Sequence, residues 1–156
     1  MSTGARQANS RSCFVCGLAN PIGLQIRFYS QGSEQVEAEY TVPEAYQGFP
    51  GVVHGGIVAA MLDEICARTL LSGESTRFTY TARLELRYRK HVPVSKPLRL
   101  AGRALKVKSH TASTYGAIYN LEGELLAEAE ALLVDVPEGL VDANTVEALG
   151  WRVYEG

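Results

Sequence analysis

Cysteine, methionine and tryptophan are scarce in this chain, at three, two and one of 156 residues. Three cysteines do not make the paired framework of a small secreted protein. No segment reads as a membrane span. The longest uncharged stretch, Ala45 to Leu62, holds Pro50, four glycines and His54, and is too polar and broken for a bilayer. Residues 1–12, MSTGARQANSRS, have no apolar centre and do not read as a secretion signal. Strong net charge is absent as well: the balance is −2 and the pI about 5.9, which gives no footprint for nucleic acid. The expectation is a soluble cytoplasmic protein with neither a membrane nor a nucleic-acid partner.

What is present fits one domain, for which 156 residues are an ordinary length. Hydrophobic residues make up 46% and charged residues 21%, usual globular proportions. The charge is unevenly placed. Nine of the fifteen Lys and Arg lie between Arg83 and Lys108, against one acid, Glu85, whereas nine acids and one base, Arg152, follow Ser109. The basic block can form a local anion site.

Along the chain, residues 1–12 read as a disordered tail, small and polar. Cys13-Phe-Val-Cys16-Gly17 and the turn signal Asn20-Pro-Ile-Gly23 follow. Leu24, Ile26 and Phe28 alternate with polar neighbours, as do Val36, Ala38 and Tyr40, which predicts a hairpin. Residues 42–53 read as loop. Gly55 to Leu71 carries only Asp63, Glu64 and Arg68 as charges, so the predicted helix is apolar on more than one face and must be buried on most sides. Ser72-Gly-Glu-Ser75 ends it. Strands are predicted around Leu84–Tyr88, from Leu98 to Lys108 with a bulge at Gly102, and over Thr111–Asn120 and Leu125–Val134. Residues 137–156 form an extension with a short helix, Asp142 as its N-cap and Gly150 as its C-cap. The fold class is α+β: an antiparallel sheet wrapped around one long apolar helix. One sheet cannot cover such a helix, so a second copy is expected, as a homodimer or a dimer of dimers.

The segment richest in chemistry is Tyr46 to Glu64. Gly55 and Gly56 open the helix, where glycine is costly unless a ligand approaches the backbone. The first N–H groups of a helix lack intrahelical partners and carry the positive end of its dipole, so they can polarise a carbonyl oxygen. Asp63 follows eight residues after Gly55, about 12 Å along the axis. That is far for work on one carbon within a subunit, but not across a two-fold interface. Plainer roles stay open for each: tight packing for the glycines, a loop histidine for His54, a partner of Arg68 for Asp63. Glu64 is the rival carboxylate, turned about 100° from Asp63. Thr81 can hydrogen-bond a water or simply favour its strand. Arg89, Lys90 and Lys106 are candidates for phosphate contacts, or part of a solvated sheet face. Cys13-x-x-Cys16 resembles half of a zinc site; with no second such pair, a partner chain would have to complete four thiolates, so it reads as a reduced thiol pair, and the absence of a βαβ context disfavours a thioredoxin-like role.

His54-Gly55-Gly56 with Asp63, in the order β-β-α-β-β-β-β, resembles the hotdog-fold acyl-CoA thioesterases, of the phenylacetate-degradation and 4-hydroxybenzoyl-CoA type. The resemblance covers residues 13–136 and includes Cys13-x-x-Cys16-Gly, Asn20-Pro-x-Gly-Leu24, Tyr46-Gln-Gly-x-Pro-Gly51 and Leu84-x-Leu-x-Tyr88. It implies hydrolysis of an acyl-CoA to free acid and CoA without a cofactor. Gly55 N–H would polarise the thioester, with His54 and Gly56 beside it, and Asp63 of the partner subunit would act as base or nucleophile. The family often has Asn or Gln where Gly48 stands here, so the neighbouring Gln47 is the candidate for holding water. The basic residues would take the nucleotide end of CoA. Two other readings of the same residues are a non-catalytic acyl-CoA binding or sensing module and a hotdog dehydratase or hydratase.

Overall fold

The computed structural model describes residues 4–71 and 77–155. The predicted helix stop at Ser72–Ser75 lies outside the described residues. Among the described residues seven strands form one sheet: β1 (Ala5–Arg6), β2 (Tyr29–Ser30), β3 (Gln35–Thr41), β4 (Thr79–Tyr88), β5 (Pro97–Val107), β6 (Thr111–Asn120) and β7 (Leu125–Asp135). Their spatial order is β1-β2-β3-β5-β6-β7-β4, and every pairing is antiparallel. One helix, α1 (Gly55–Arg68), lies against the sheet, and a short 3-10 turn at Thr69–Leu71 continues it. A second helix, α2 (Ala143–Leu149), has the Asp142 side chain accepting from Thr145 N–H and Gly150 in the left-handed conformation at its end. No described helix is long and apolar enough to cross a membrane.

The core is the face between α1 and the sheet. Val58, Met61, Leu62, Ile65 and Cys66 of α1 are buried against Val36, Ala38, Leu98, Leu100, Ile118 and Leu133. The sheet floor is built from small residues. Gly102 of β5, Gly116 of β6 and Ala129 of β7 stand in one cross-strand row. Gly102 is therefore not the predicted bulge. It pairs in register with Gly116, and the irregularity falls at Ala104–Lys106. The reason for glycine is closeness of approach: a Cβ on Gly102 would lie 2.8 Å from the Ile65 carbonyl oxygen, and one on Gly116 would lie 2.6 Å from Ile65 Cγ2.

Two further expectations are corrected. Residues 4–12 are not a disordered tail. Ala5–Arg6 pairs with Tyr29–Ser30, and Asn9 is 1% exposed. Its amide donates to the carbonyls of Cys16 and Ile26 at 2.8 and 2.9 Å. A polar side chain tolerates burial when backbone acceptors meet it, and a compositional reading misses that. Leu24–Phe28 alternates in burial but lies outside the sheet, with Gln25 in the left-handed region at φ 58. Leu24 and Ile26 donate to Phe14 and Val15, and Gln7 donates to Phe28. This segment places Val15, Cys16, Leu24, Ile26 and Phe28 in the same core as α1, covering a flank that the sheet leaves open.

The glycine floor gives a test. Gly116→Ala and Gly102→Ala each force α1 off the sheet, and overpacking of this kind costs about 1–3 kcal/mol. Gly139, whose Cβ would meet nothing within 4 Å, is the control and should change stability by roughly 0.5 kcal/mol or less as alanine. Urea midpoints decide: floor variants as stable as the parent would remove the close-contact account.

Candidate active site

The start of α1 is set by His54, whose Nδ1 accepts the Gly56 N–H at 2.9 Å. That bond requires the neutral ring with its proton on Nε2. Ile57 and Val58 N–H return to the His54 carbonyl. Among the described residues the Gly55 N–H meets no acceptor. Of the two glycines, then, Gly56 is held by the cap and Gly55 presents an unsatisfied donor at the helix N-terminus. Gly55 is exposed, and its carbonyl accepts from the Tyr88 hydroxyl at 2.8 Å. Tyr88 is a site residue that residue chemistry did not single out. Its alternation with Leu84 and Leu86 is the sequence signal that puts it on the helix side of β4.

Asp63 lies two turns further on, half-buried. Thr81 donates its hydroxyl to Asp63 Oδ1 at 2.6 Å. Asp63 is not the partner of Arg68. That partner is Glu64, one turn earlier on α1, at 3.1 Å. The 100° step between the adjacent acids sends Asp63 to β4 and Glu64 to the opposite flank, beside Cys13 and Cys16. The structure therefore brings Asp63 and Thr81 together and leaves Glu64 apart from them.

Gln47 is occupied in its loop, where its Oε1 accepts the Gly51 N–H at 3.0 Å. The basic candidates separate. Arg89 is bound to Glu128 at 2.7 Å, and Lys90 pairs with Glu124. Lys90, His91 and Lys96 line a cleft of about 410 Å³ with Asn120 and Glu122. This cleft adjoins the entrance to α1, because Val53 N–H donates to Val92 and Val94 N–H to Gly51. Lys106 stands near the far end of β5, opposite Ser113, while the cleft end of that strand is marked by Leu98 opposite Asn120. That is about 25 Å away at the rise of a strand, so Lys106 does not share the cleft.

Gly55 opens α1 and Asp63 sits two turns along it, each fastened to β4, by Tyr88 and Thr81 respectively. β4 is the last strand of the sheet, and most of its residues are exposed.

Residues 50–127 match the family model of the thioesterase superfamily. A search of curated proteins gives no match. Among solved structures, the thioesterase superfamily protein RHA08564 aligns at 30% identity and a TM-score of 0.72, over 80% of this chain and 63% of that one. This chain thus spans less than two thirds of that protein's length. A phenylacetic acid degradation-related protein from Ralstonia eutropha JMP134 aligns at 23% identity and a TM-score of 0.63, over 71% of this chain and 85% of that one. A Streptococcus mutans UA159 protein bound to acetyl CoA aligns at 18% identity and a TM-score of 0.65, over 71% and 88% of the two chains. The last two likenesses are of fold. The family model covers half of the sequence, on a sheet wrapped around one helix, so this chain belongs to the thioesterase superfamily and has the hotdog fold.

Proposed function

We propose that the protein is a thioesterase that hydrolyses an acyl-CoA to free acid and CoA, at a site shared between two subunits. One observation carries this reading: Gly55 offers an unpartnered backbone donor at the start of α1, while Asp63, the acid suited to activate water, is held by Thr81 at the other end of the same β4 edge. About 12 Å of helix separates the two within one chain. Antiparallel pairing of two β4 edges about a two-fold axis exchanges their ends. The Thr81 end of one strand then meets the Tyr88 end of the other, which brings Asp63 of the partner subunit toward Gly55. The unpaired edge and the partly exposed Ile57, Ala59 and Ala60 on α1 support the same assembly, since exposed edges are templates for pairing.

In that arrangement Gly55 N–H stabilises the oxyanion that develops on the thioester carbonyl, and removal of one such donor typically costs about 10²–10³ in rate. His54 fixes the backbone angle through Gly56. Thr81 orients the Asp63 carboxylate by its hydroxyl. Asp63 removes a proton from water or attacks the carbonyl itself; both routes need its charge. The substrate class rests on family membership, on the acetyl CoA in the Streptococcus mutans relative, and on the Lys90 cleft beside the entrance to α1. A phosphate entering there competes with Glu124 for Lys90, and an exposed ion pair of that kind is weak. The side chain is available at little cost.

Three outcomes test the reading. With a panel of acyl-CoA esters and a free-thiol assay, Asp63→Asn should lower the rate by about 10²–10⁴, the usual worth of a general base, while thermal stability is retained. An undiminished rate would remove Asp63 from the chemistry. Lys90→Ala should raise KM for acyl-CoA and leave short thioesters without a nucleotide unaffected, and Lys106→Ala should do neither. Equal loss on both substrate types would take the nucleotide out of the cleft. Light scattering should show a dimer or a dimer of dimers, and a stable active monomer would overturn the shared site.

A further inference from the structure

The proposed hydrolysis leaves one reactive cluster unused. Cys13 and Cys16 bracket a tight turn closed by Gly17 N–H on the Cys13 carbonyl at 2.8 Å. Only glycine closes it so closely, since a Cβ on Gly17 would lie 2.4 Å from that oxygen. The Cys13 sulfur is partly exposed and accepts the Val15 N–H at 3.4 Å. The Cys16 sulfur is buried, 3.5 Å from the Ser10 hydroxyl. Glu64 reaches the pair from α1, and its carboxylate and the two sulfurs lie within 4.8 Å of one another. The third cysteine, Cys66, is fully buried in the core, away from the pair.

We propose that Cys13 and Cys16 are a redox-active dithiol that exchanges with low-molecular-weight disulfides: Cys13 attacks, Cys16 resolves, and Glu64 takes the Cys16 proton. The division of labour follows from the surroundings. A hydrogen bond from the Cys16 thiol, aided by backbone N–H groups, brings Cys13 down to about 6 against the opposing effect of burial. A thiolate near ambient pH is the efficient attacking form. The same hydrogen bond together with burial holds Cys16 up at about 12, so it needs a base. Burial pushes Glu64 up to about 7, against the pull of the Arg68 guanidinium, which suits a carboxylate that accepts and returns a proton. A metal ion fits less well. Only three donor groups converge among the described residues, and Arg68 already binds the carboxylate with its positive charge.

In the first step the Cys13 thiolate attacks one sulfur of a disulfide RSSR. The S–S bond breaks, a Cys13–S–R mixed disulfide forms, and RS⁻ leaves to be protonated by water. Glu64 then takes the proton of Cys16, and the new thiolate attacks the Cys13 sulfur. The second RS⁻ leaves and receives that proton. Counting the proton that Cys13 gave to solvent on ionising, the protein has lost two electrons and two protons, and RSSR has become two RSH.

The test uses the intact reduced protein with oxidised glutathione, alkylation and peptide mass spectrometry, so its result does not depend on thioesterase activity. The expected product is a Cys13–Cys16 disulfide with Cys66 unoxidised, because burial holds the Cys66 thiol up at about 12. Cys16→Ser should stop at a stable glutathione adduct on Cys13. Glu64→Gln should still form that adduct but resolve it more slowly, by a factor on the order of 10². If Cys16→Ser does not fold, the intact protein decides alone. Failure to form the disulfide, or native Cys13 alkylated no faster than Cys66, overturns the proposal. So does one tightly held zinc ion per chain that shields both thiols.

Discussion

The close seating of α1 on the Gly102–Gly116 pair is the constraint on which the rest depends. A helix over a sheet of ordinary side chains is held off by their bulk. Here two adjacent strands present none beneath Ile65, whose carbonyl and branched side chain occupy the space. Height and rotation of the helix are fixed together, because Val58, Met61, Leu62 and Ile65 can point only into the core. With rotation fixed, Asp63 is aimed at β4 and Glu64 at the flank covered by Cys13–Phe28. A helix seated higher would lose the 2.6 Å contact between Thr81 and Asp63, and with it the orientation of that carboxylate.

The same seating explains why β4 is an unusual edge. It carries the groups that hold the start and the middle of α1, yet among the described residues its one strand neighbour is β7. A ten-residue strand exposed along most of its length is an aggregation hazard in a monomer. Arg83, Glu85 and Arg87 on its outer face give charge, which discourages promiscuous pairing without forbidding a defined one. The uncovered part of α1 lies at its N-terminal half, where Ile57, Ala59 and Ala60 are partly exposed. The edge and the helix face are thus left open together, as a two-fold contact would require.

Much of this was legible in the sequence because periodicity reports burial. The long strands fell where alternation placed them, and the apolar run after His54 was the helix. The Asp63–Thr81 relation was half legible: the two residue types suggested chemistry, but only the fold gave the contact. Three features were not legible, for physical reasons. The burial of Asn9 depends on carbonyls of distant segments. The role of Gly102 is defined by what lies above it, and a glycine in a strand reads equally as a bulge. The meeting of Cys13 and Cys16 with Glu64 joins two segments that share no local pattern, and a short thiol motif is silent about a carboxylate reached through the fold. Arg89 and Lys90 were half legible, since a charge block in sequence says nothing of Glu128 and Glu124, the acids across the sheet that pair with it.

The two adjacent acids of α1 show how one apolar helix holds two carboxylates in different surroundings. Each carboxylate would be costly among apolar neighbours without a partner. Asp63 has a neutral donor, Thr81, which orients it and leaves its negative charge uncompensated. Glu64 has the guanidinium of Arg68, itself buried and stacked 4.6 Å above the Phe28 ring and 5.0 Å from that of Trp151. The charge of Glu64 is thus balanced locally, and its proton affinity is set by burial beside two sulfurs. Loss of Arg68 would remove the positive charge that opposes the effect of burial on Glu64. The 100° turn between neighbouring residues keeps these requirements from interfering, and the glycine floor holds that turn in place.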